Sequence, residues 1–414
     1  MPDPLSAANV RPAEKGETVI DILWAWGEAF LRWLHVVAGI AWIGSSFYFI
    51  HLDLSLARRD GLPDKAYGEA WQVHGGGFYH MVKYLVAPSR MPAELTWFKW
   101  EAYATWLSGF ALLVVVYYFS AELYLIDPAV LDMSPPTAAL VSVAGIVTGW
   151  LLYDALCRSP IGKDAVQLAI AGFVFLVVLA VAYSFVLSPR GAFMQMGAII
   201  GTIMAANVLM VIIPGQRKVV ADLIAGRTPD PIHGIRGKQR SVHNNYLTLP
   251  VVFIMIANHY PLAYATRFSW AILALLLVMG VVIRHFYNSR HKGLPSPWWT
   301  WAVATACGLA IVGLSMLGPA AGKRIAGAAN PPVVSFAEVT EIVTSRCSMC
   351  HAAEPVWNGI IVPPKGVRLD TPAAIERQAV QIGLNTVASN AMPPGNITGM
   401  TDAERRIVAA WLRW

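Results

Sequence analysis

The run AVQLAIAGFVFLVVLAVAYSFVL, Ala165 to Leu187, decides the fold. It carries no charge, and as a helix it is long enough to cross a hydrocarbon core roughly 30 Å thick. Its apolar residues show neither the two-residue alternation of a half-buried strand nor the single stripe of a surface helix. A segment apolar on every side belongs in lipid or in the centre of a bundle.

Comparable runs flank it on both sides. Further spans are placed near Ile22–Ile50, Trp100–Phe119, Thr137–Cys157, Ala192–Ile213, Asn245–His259, Phe268–Phe286 and Trp298–Leu317. The segment Asn245–His259 is the shortest and contains Pro250. Composition agrees: 56% of the 414 residues are hydrophobic and 14% charged, with mean hydropathy +0.51. A soluble domain carries roughly 25% charged residues, so an ordinary soluble protein and a disordered one are both excluded. Sixteen tryptophans suit interfacial aromatic belts.

Eight spans put both ends of the chain on one side. Lys and Arg cluster in alternate loops, with Arg58, Arg59, Lys65, Lys83, Arg90 and Lys99 in the first and Arg217, Lys218, Arg227, Arg236, Lys238 and Arg240 in the fifth. Among the loops between spans, the opposite side offers only Arg190 and Arg267. The positive-inside rule makes the rich side cytoplasmic and leaves both ends outside. The net charge of +6 is therefore assigned to topology, and no nucleic-acid partner is expected. No cleavable signal is expected, because the first span is long and the residues before it are acidic.

Beyond Leu317 the character changes. A linker rich in Ala, Gly and Pro over 319–335 separates a membrane domain, 1–318, from a small domain, 336–414. The latter opens with a helix over Phe336–Arg346 and closes with one over Thr401–Leu412, where Thr401 and Glu404 are spaced as a capping box. Between them stands Cys347-Ser348-Met349-Cys350-His351, the C-x-x-C-H signature of covalent haem c. The thiols bond to the porphyrin vinyl groups and His351 supplies an imidazole to the iron. A zinc site would need further ligands, and this domain has no other His and no second Cys pair. Met392, which opens Met392-Pro393-Pro394, is the expected sixth ligand, and Met400 is its competitor. Methionine–histidine ligation suits electron transfer. The domain resembles a class I cytochrome c, and haem attachment outside the cytoplasm agrees with the topology.

Ionisable residues within spans are costly and point to function. In the first span Glu28, Arg32, His35, Gly39, Trp42 and Ser46 share one helical face. His35 either binds a haem or bonds to a neighbouring helix, with Glu28 and Arg32 as an i,i+4 pair. His35 and His51 are sixteen residues apart, as are His243 and His259. Helices running in opposite directions would set His35 level with His259 and His51 level with His243, as in a two-haem cytochrome b. Sixteen residues turn an ideal helix by about 160°, so the outer pair, His35 with His259, is preferred as a haem b site. The loop Trp71-Gln-Val-His74-Gly-Gly-Gly-Phe-Tyr-His80, followed by Lys83, offers close backbone approach through its glycines. Gln216-Arg217 and His243-Asn244-Asn245 flank the cytoplasmic loop between the fifth and sixth spans.

The segments Leu34–Gly44 and Trp71–Arg90, the eight spans and the terminal cytochrome together resemble the bacterial membrane-bound urate hydroxylases (urate oxidases) with a fused cytochrome c. The resemblance covers nearly the whole chain. It implies an oxidoreductase of purine catabolism in the bacterial inner membrane, with the N-terminus and cytochrome domain periplasmic. Urate would become 5-hydroxyisourate by water addition, and the electrons would pass through the cytochrome to a downstream cytochrome c or terminal oxidase without hydrogen peroxide. The first span also resembles that of the haem-binding protoporphyrinogen oxidases, whose histidine matches His35. Binding an anionic purine calls for cationic and amide donors, for which Lys83, Gln216, Arg217, Asn244 and Asn245 have the right chemistry. His74 or His80 suits a general base. A quinol dehydrogenase, a simple electron-transfer protein and a redox-sensing transporter are the competing classes. The expected fold is all-α: a polytopic bundle followed by a class I cytochrome c domain.

Overall fold

The computed structural model describes residues 15–85, 92, 94–318, 334–357 and 360–413. Arg90 and most of the expected linker, up to residue 333, lie outside them. The chain is mostly helical, in the order α1 (Lys15–Ser55), a β-hairpin, α2 (Trp100–Leu112), α3 (Ala121–Tyr124), α4 (Pro135–Arg158), α5 (Ala165–Ser184), α6 (Pro189–Ala206), α7 (Ile213–Ile224), α8 (Pro231–Ile256), α9 (Pro261–Tyr264), α10 (Ser269–His291) and α11 (Trp299–Ser315). Then follow α12 (Phe336–His351), α13 (Pro372–Arg377), α14 (Ala379–Thr386) and α15 (Asp402–Leu412).

Side-chain caps set several starts. Asp164 accepts from Val166 N and Gln167 N at α5, Ser188 caps α6 ahead of Pro189, and Asp230 caps α8 ahead of Pro231. Thr401 and Glu404 form the capping box read from their spacing. Six helical segments among the described residues are long and apolar enough to cross a membrane. The other two expected spans fall short of that standard. The helix Trp299–Ser315 is apolar but short, and Asn245–His259 is the end of α8, whose first half carries Arg236, Lys238 and Arg240.

The all-α expectation is corrected at one place. The glycine-containing loop is an antiparallel hairpin, β1 (Ala66–His74) with β2 (Gly77–Tyr84), in which Trp71 pairs with His80 and Val73 with Phe78. Gly75 and Gly76 form its two-residue turn with φ of 60° and 78°, the left-handed geometry of a type I′ turn. Those glycines therefore serve the turn.

The core centres on α6, where Met196, Ile199, Ile200 and Ile203 are buried against α4, α5, α8 and α10. Gly280 on α10 makes room for Pro250 of α8, since a Cβ there would stand 2.5 Å from the proline Cδ. Helix α1 is peripheral, packing on α2 while Trp24, Trp26, Phe30, Trp33 and Leu34 stay exposed. An apolar face of that extent is what lipid covers. The C-terminal segment has its own core of Val339, Val343, Ile375, Ile382, Met400 and Val408.

Candidate functional site

The polar residues gather at the end of the bundle where α4 finishes and α8 begins. Arg240 is 2% exposed, and its Nη2 donates to Asp154 Oδ1 at 2.7 Å. Its Nη1 reaches Asn207 Oδ1 at 3.4 Å, and the guanidinium lies over the Tyr153 ring, 4.9 Å from the centroid. Asn207 Nδ2 donates to Tyr153 Oη at 3.1 Å and to Asn244 Oδ1 at 2.9 Å, while Asn244 Nδ2 donates to Met204 O. The Tyr153 hydroxyl and His243 Nδ1 are hydrogen-bonded at 2.7 Å. Asn207 opens a π-helical turn, Asn207–Ile212, between α6 and α7. Such turns occur frequently at functional sites.

This network borders a cavity of about 150 Å³ lined by Arg158, Lys218, His233, Arg236 and Arg240. Asp154 pairs with two of these cations, Arg240 at 2.7 Å and Arg158 at 2.6 Å, while Lys218 and Arg236 add exposed positive charge to the lining. Arg240 also has a buried Nε–H without a hydrogen-bond partner among the described residues. Buried donors are nearly always satisfied, so this one stands out in the network.

The sequence candidates fall into separate places. Asn244 joins the Arg240 network. Asn245 turns to α10, where its Oδ1 accepts from Asn288 Nδ2 at 2.9 Å and Arg284 Nε at 3.3 Å. Gln216 and Arg217 are exposed on α7, adjoining the cavity-lining Gly215 and Lys218 in sequence. On the hairpin, His80 Nε2 lies 2.6 Å from Glu69 Oε2 and its ring stacks on Trp71 at 4.2 Å. The His80 hydrogen bond holds the Glu69 carboxyl below the usual carboxylate range. Lys83 pairs with Asp53 at 2.6 Å, and His74 is exposed at the turn.

Among the intramembrane histidines, His35 Nδ1–H donates to Thr105 O at 3.0 Å, leaving Nε2 free, and Glu28 and Arg32 form the i,i+4 pair. His259 is exposed in the turn after α8. The level pairing of His51 with His243 is not observed. The His51 ring meets His291 with centroids 4.5 Å apart, while His243 bonds to Tyr153. The two histidines face different helices because a helical register alone does not fix which neighbour each meets.

In the C-terminal segment, His351 Nδ1–H donates to Val367 O at 2.9 Å, which fixes the tautomer and frees Nε2 for a metal. Cys347 and Cys350 occupy the last turns of α12, unlinked to each other. Burial pushes the Cys347 thiol up to about 12. Met400 is buried in the local core, whereas Met392 is half-buried in a loop. No converging group of three or more His, Cys, Asp and Glu side chains occurs among the described residues.

Asp154, Arg158, Asn207, Lys218, His233, Arg236 and Arg240 are not among the site residues read from sequence. Asp154 and Asn207 lie within expected spans, and the rule that polar groups in spans mark function would have found both.

A bundle of long apolar helices with basic side chains lining a cavity at one end is the architecture of a membrane-type protein. Residues 21–315 match the family model described as urate oxidase N-terminal, and the chain belongs to that family. Comparison with the curated proteins and with the solved structures finds no match.

Proposed function

We propose that the protein oxidises urate to 5-hydroxyisourate within the bacterial inner membrane and passes the electrons through a C-terminal cytochrome c. The observation that carries this reading is the cationic cavity beside Arg240 in a chain of the urate oxidase family. Urate ionises to a planar anion with amide-like edges. Arg240, Arg236, Lys218 and Arg158 supply charge to the cavity lining. Gln216 and Arg217 flank the cavity in sequence, and Asn244 holds Asn207, which accepts from Arg240. Asn245 supports α10 through Arg284 and Asn288.

Removing two electrons and two protons from urate and one water yields the hydroxylated product. A base must take a proton. Of His74, His80 and His233, only His233 lines the cavity, and it takes this role in preference to the hairpin histidines. His80 and Lys83 instead tie the hairpin together and to α1.

The residues of the C-terminal segment fit a covalent haem. Cys347 and Cys350 would hold it, His351 with its anchored Nδ1 and Met392 would ligate the iron, and Met400 serves the core. When bound, this haem supplies one-electron transfer to a downstream cytochrome c or terminal oxidase. His35, with Nδ1 anchored on Thr105, and His259 would hold a haem b. Such a group would supply a relay across the bilayer. The whole forms a polytopic bundle whose α8 and α11 also cross the membrane, with the N-terminus and cytochrome domain periplasmic.

The test is urate turnover by the purified full chain with a one-electron acceptor protein. Acceptor reduction and urate loss in two-to-one ratio without peroxide are expected. Urate loss with stoichiometric peroxide would contradict the reading.

A further inference from the structure

We infer that the loop Asn390–Asn396 is the surface through which the C-terminal segment receives electrons from the membrane-embedded body, entering on the Met392 side. This rests on the cytochrome reading above.

The contact is unusually close. Gly395 has φ of 54°, and a Cβ built on it would stand 2.7 Å from Ile126 O and 2.8 Å from Glu122 O. Backbone therefore meets backbone, at the turn that follows α3. The space left beside it is a cavity of about 20 Å³, lined by Ser188, Arg190 and Tyr264 from the body and by Asn390, Ala391 and Pro394 from the loop. That volume holds about one water molecule. Electron tunnelling weakens exponentially with distance and more steeply across gaps than through packed atoms. A contact this tight, on the loop that carries Met392, is suited to transfer.

Beneath the loop stands a column of polarisable groups. Arg190 lies over the Tyr124 ring at 4.3 Å and the Tyr117 ring at 5.9 Å, and the two tyrosine centroids are 5.7 Å apart. Tyr117 Oη donates to Asn258 Oδ1 at 2.7 Å, which locks the inner ring. The column runs from inside the bundle to the surface that Pro394 and Gly395 cover. On the other side, Arg405 fixes the loop by donating to Met392 O at 3.1 Å and Thr386 O at 2.7 Å. Asp127, which also lines the cavity, is near enough to act electrostatically on Arg405. The His351 side is tied to Val367 instead, away from this loop in sequence.

Each urate oxidised yields two electrons and two protons. The protons leave at the substrate site. With a haem held by Cys347, Cys350, His351 and Met392, the two electrons would cross this contact one at a time, and an external one-electron acceptor protein would take each in turn.

Gly395→Val forces the two backbones apart, and Leu123→Arg disturbs the same seam from the body without altering the C-terminal sequence. The experiment uses the full-length haem-loaded protein. Both variants are expected to keep wild-type haem content, the methionine–iron absorption band and the rate of reduction by ascorbate. Reduction by urate should slow by roughly tenfold to a hundredfold, as misplacing reacting groups by about 1 Å does. Amide exchange in 121–127 and 390–396 should rise in both variants together. Variants that urate reduces as fast as wild type, or wild-type segments that lack protection, overturn the proposal alone. A wild-type haem that ascorbate reduces and urate does not overturns the cytochrome-linked reading, and the proposal with it.

Discussion

Arg240 donates to Asp154 across 2.7 Å with its own side chain almost wholly removed from solvent. Taking one partner from a buried ion pair leaves an uncompensated charge, at a cost of about 3–5 kcal/mol. Asp154→Ala is therefore expected to lower the unfolding temperature in detergent far more than the double variant Asp154→Leu/Arg240→Met, which removes both charges. Equal losses in the two proteins would show that the pair is not a buried one energetically.

The same arginine is assigned to the substrate. Arg240→Gln should raise the urate KM by about tenfold or more, the worth of one charge-assisted hydrogen bond. His233→Gln should lower kcat, because the residue assigned as base is lost. His80→Gln should do neither, because Glu69 and Trp71 hold that ring outside the cavity. Steady-state kinetics on the three variants would reveal a misplaced site if His80→Gln alone abolished turnover.

The hairpin has a pH dependence of definite sign. Glu69 is held below its ordinary pKa, chiefly by the His80 hydrogen bond. The folded form thus binds its proton less readily than the unfolded form. Its stabilisation is full above the ordinary carboxylate pKa and is lost as pH falls through the depressed value. Amide exchange of residues 66–84 should speed up in acid in the wild type, and Glu69→Gln should exchange faster at neutral pH with a weaker acid response. An identical acid response in both would remove Glu69 from the account.

Spectroscopy separates the two methionines. Met392→Ala should abolish the methionine–iron band. Met400→Leu, a volume-conserving change in a packed core, should retain the band at a cost below about 1.5 kcal/mol. The reverse pattern would exchange their roles.

What could be read from the chain was what a local pattern encodes. The run from Ala165 to Ser184 forms the helix its hydropathy requires, and Thr401 with Glu404 forms the box their spacing requires. The hairpin is hidden in the sequence because three consecutive glycines, Gly75-Gly76-Gly77, have the composition of a ligand loop as well as of a turn. The alternation Glu69, Trp71, Val73 on one strand and Phe78, His80, Val82 on the other was its signal. The cationic cavity was beyond local patterns. Its residues come from α4, the π-helical turn, α7 and α8, and tertiary packing alone brings Arg158, Lys218, His233 and Arg240 together.

The central claim is that urate electrons reach the C-terminal haem. Anaerobic titration of the purified full-length protein with urate, followed in the cytochrome c absorption band, tests it directly. The account predicts complete reduction at half an equivalent of urate per haem c, with any membrane haem counted separately by extraction. A band that stays oxidised under excess urate, in protein whose haem ascorbate reduces, would contradict it.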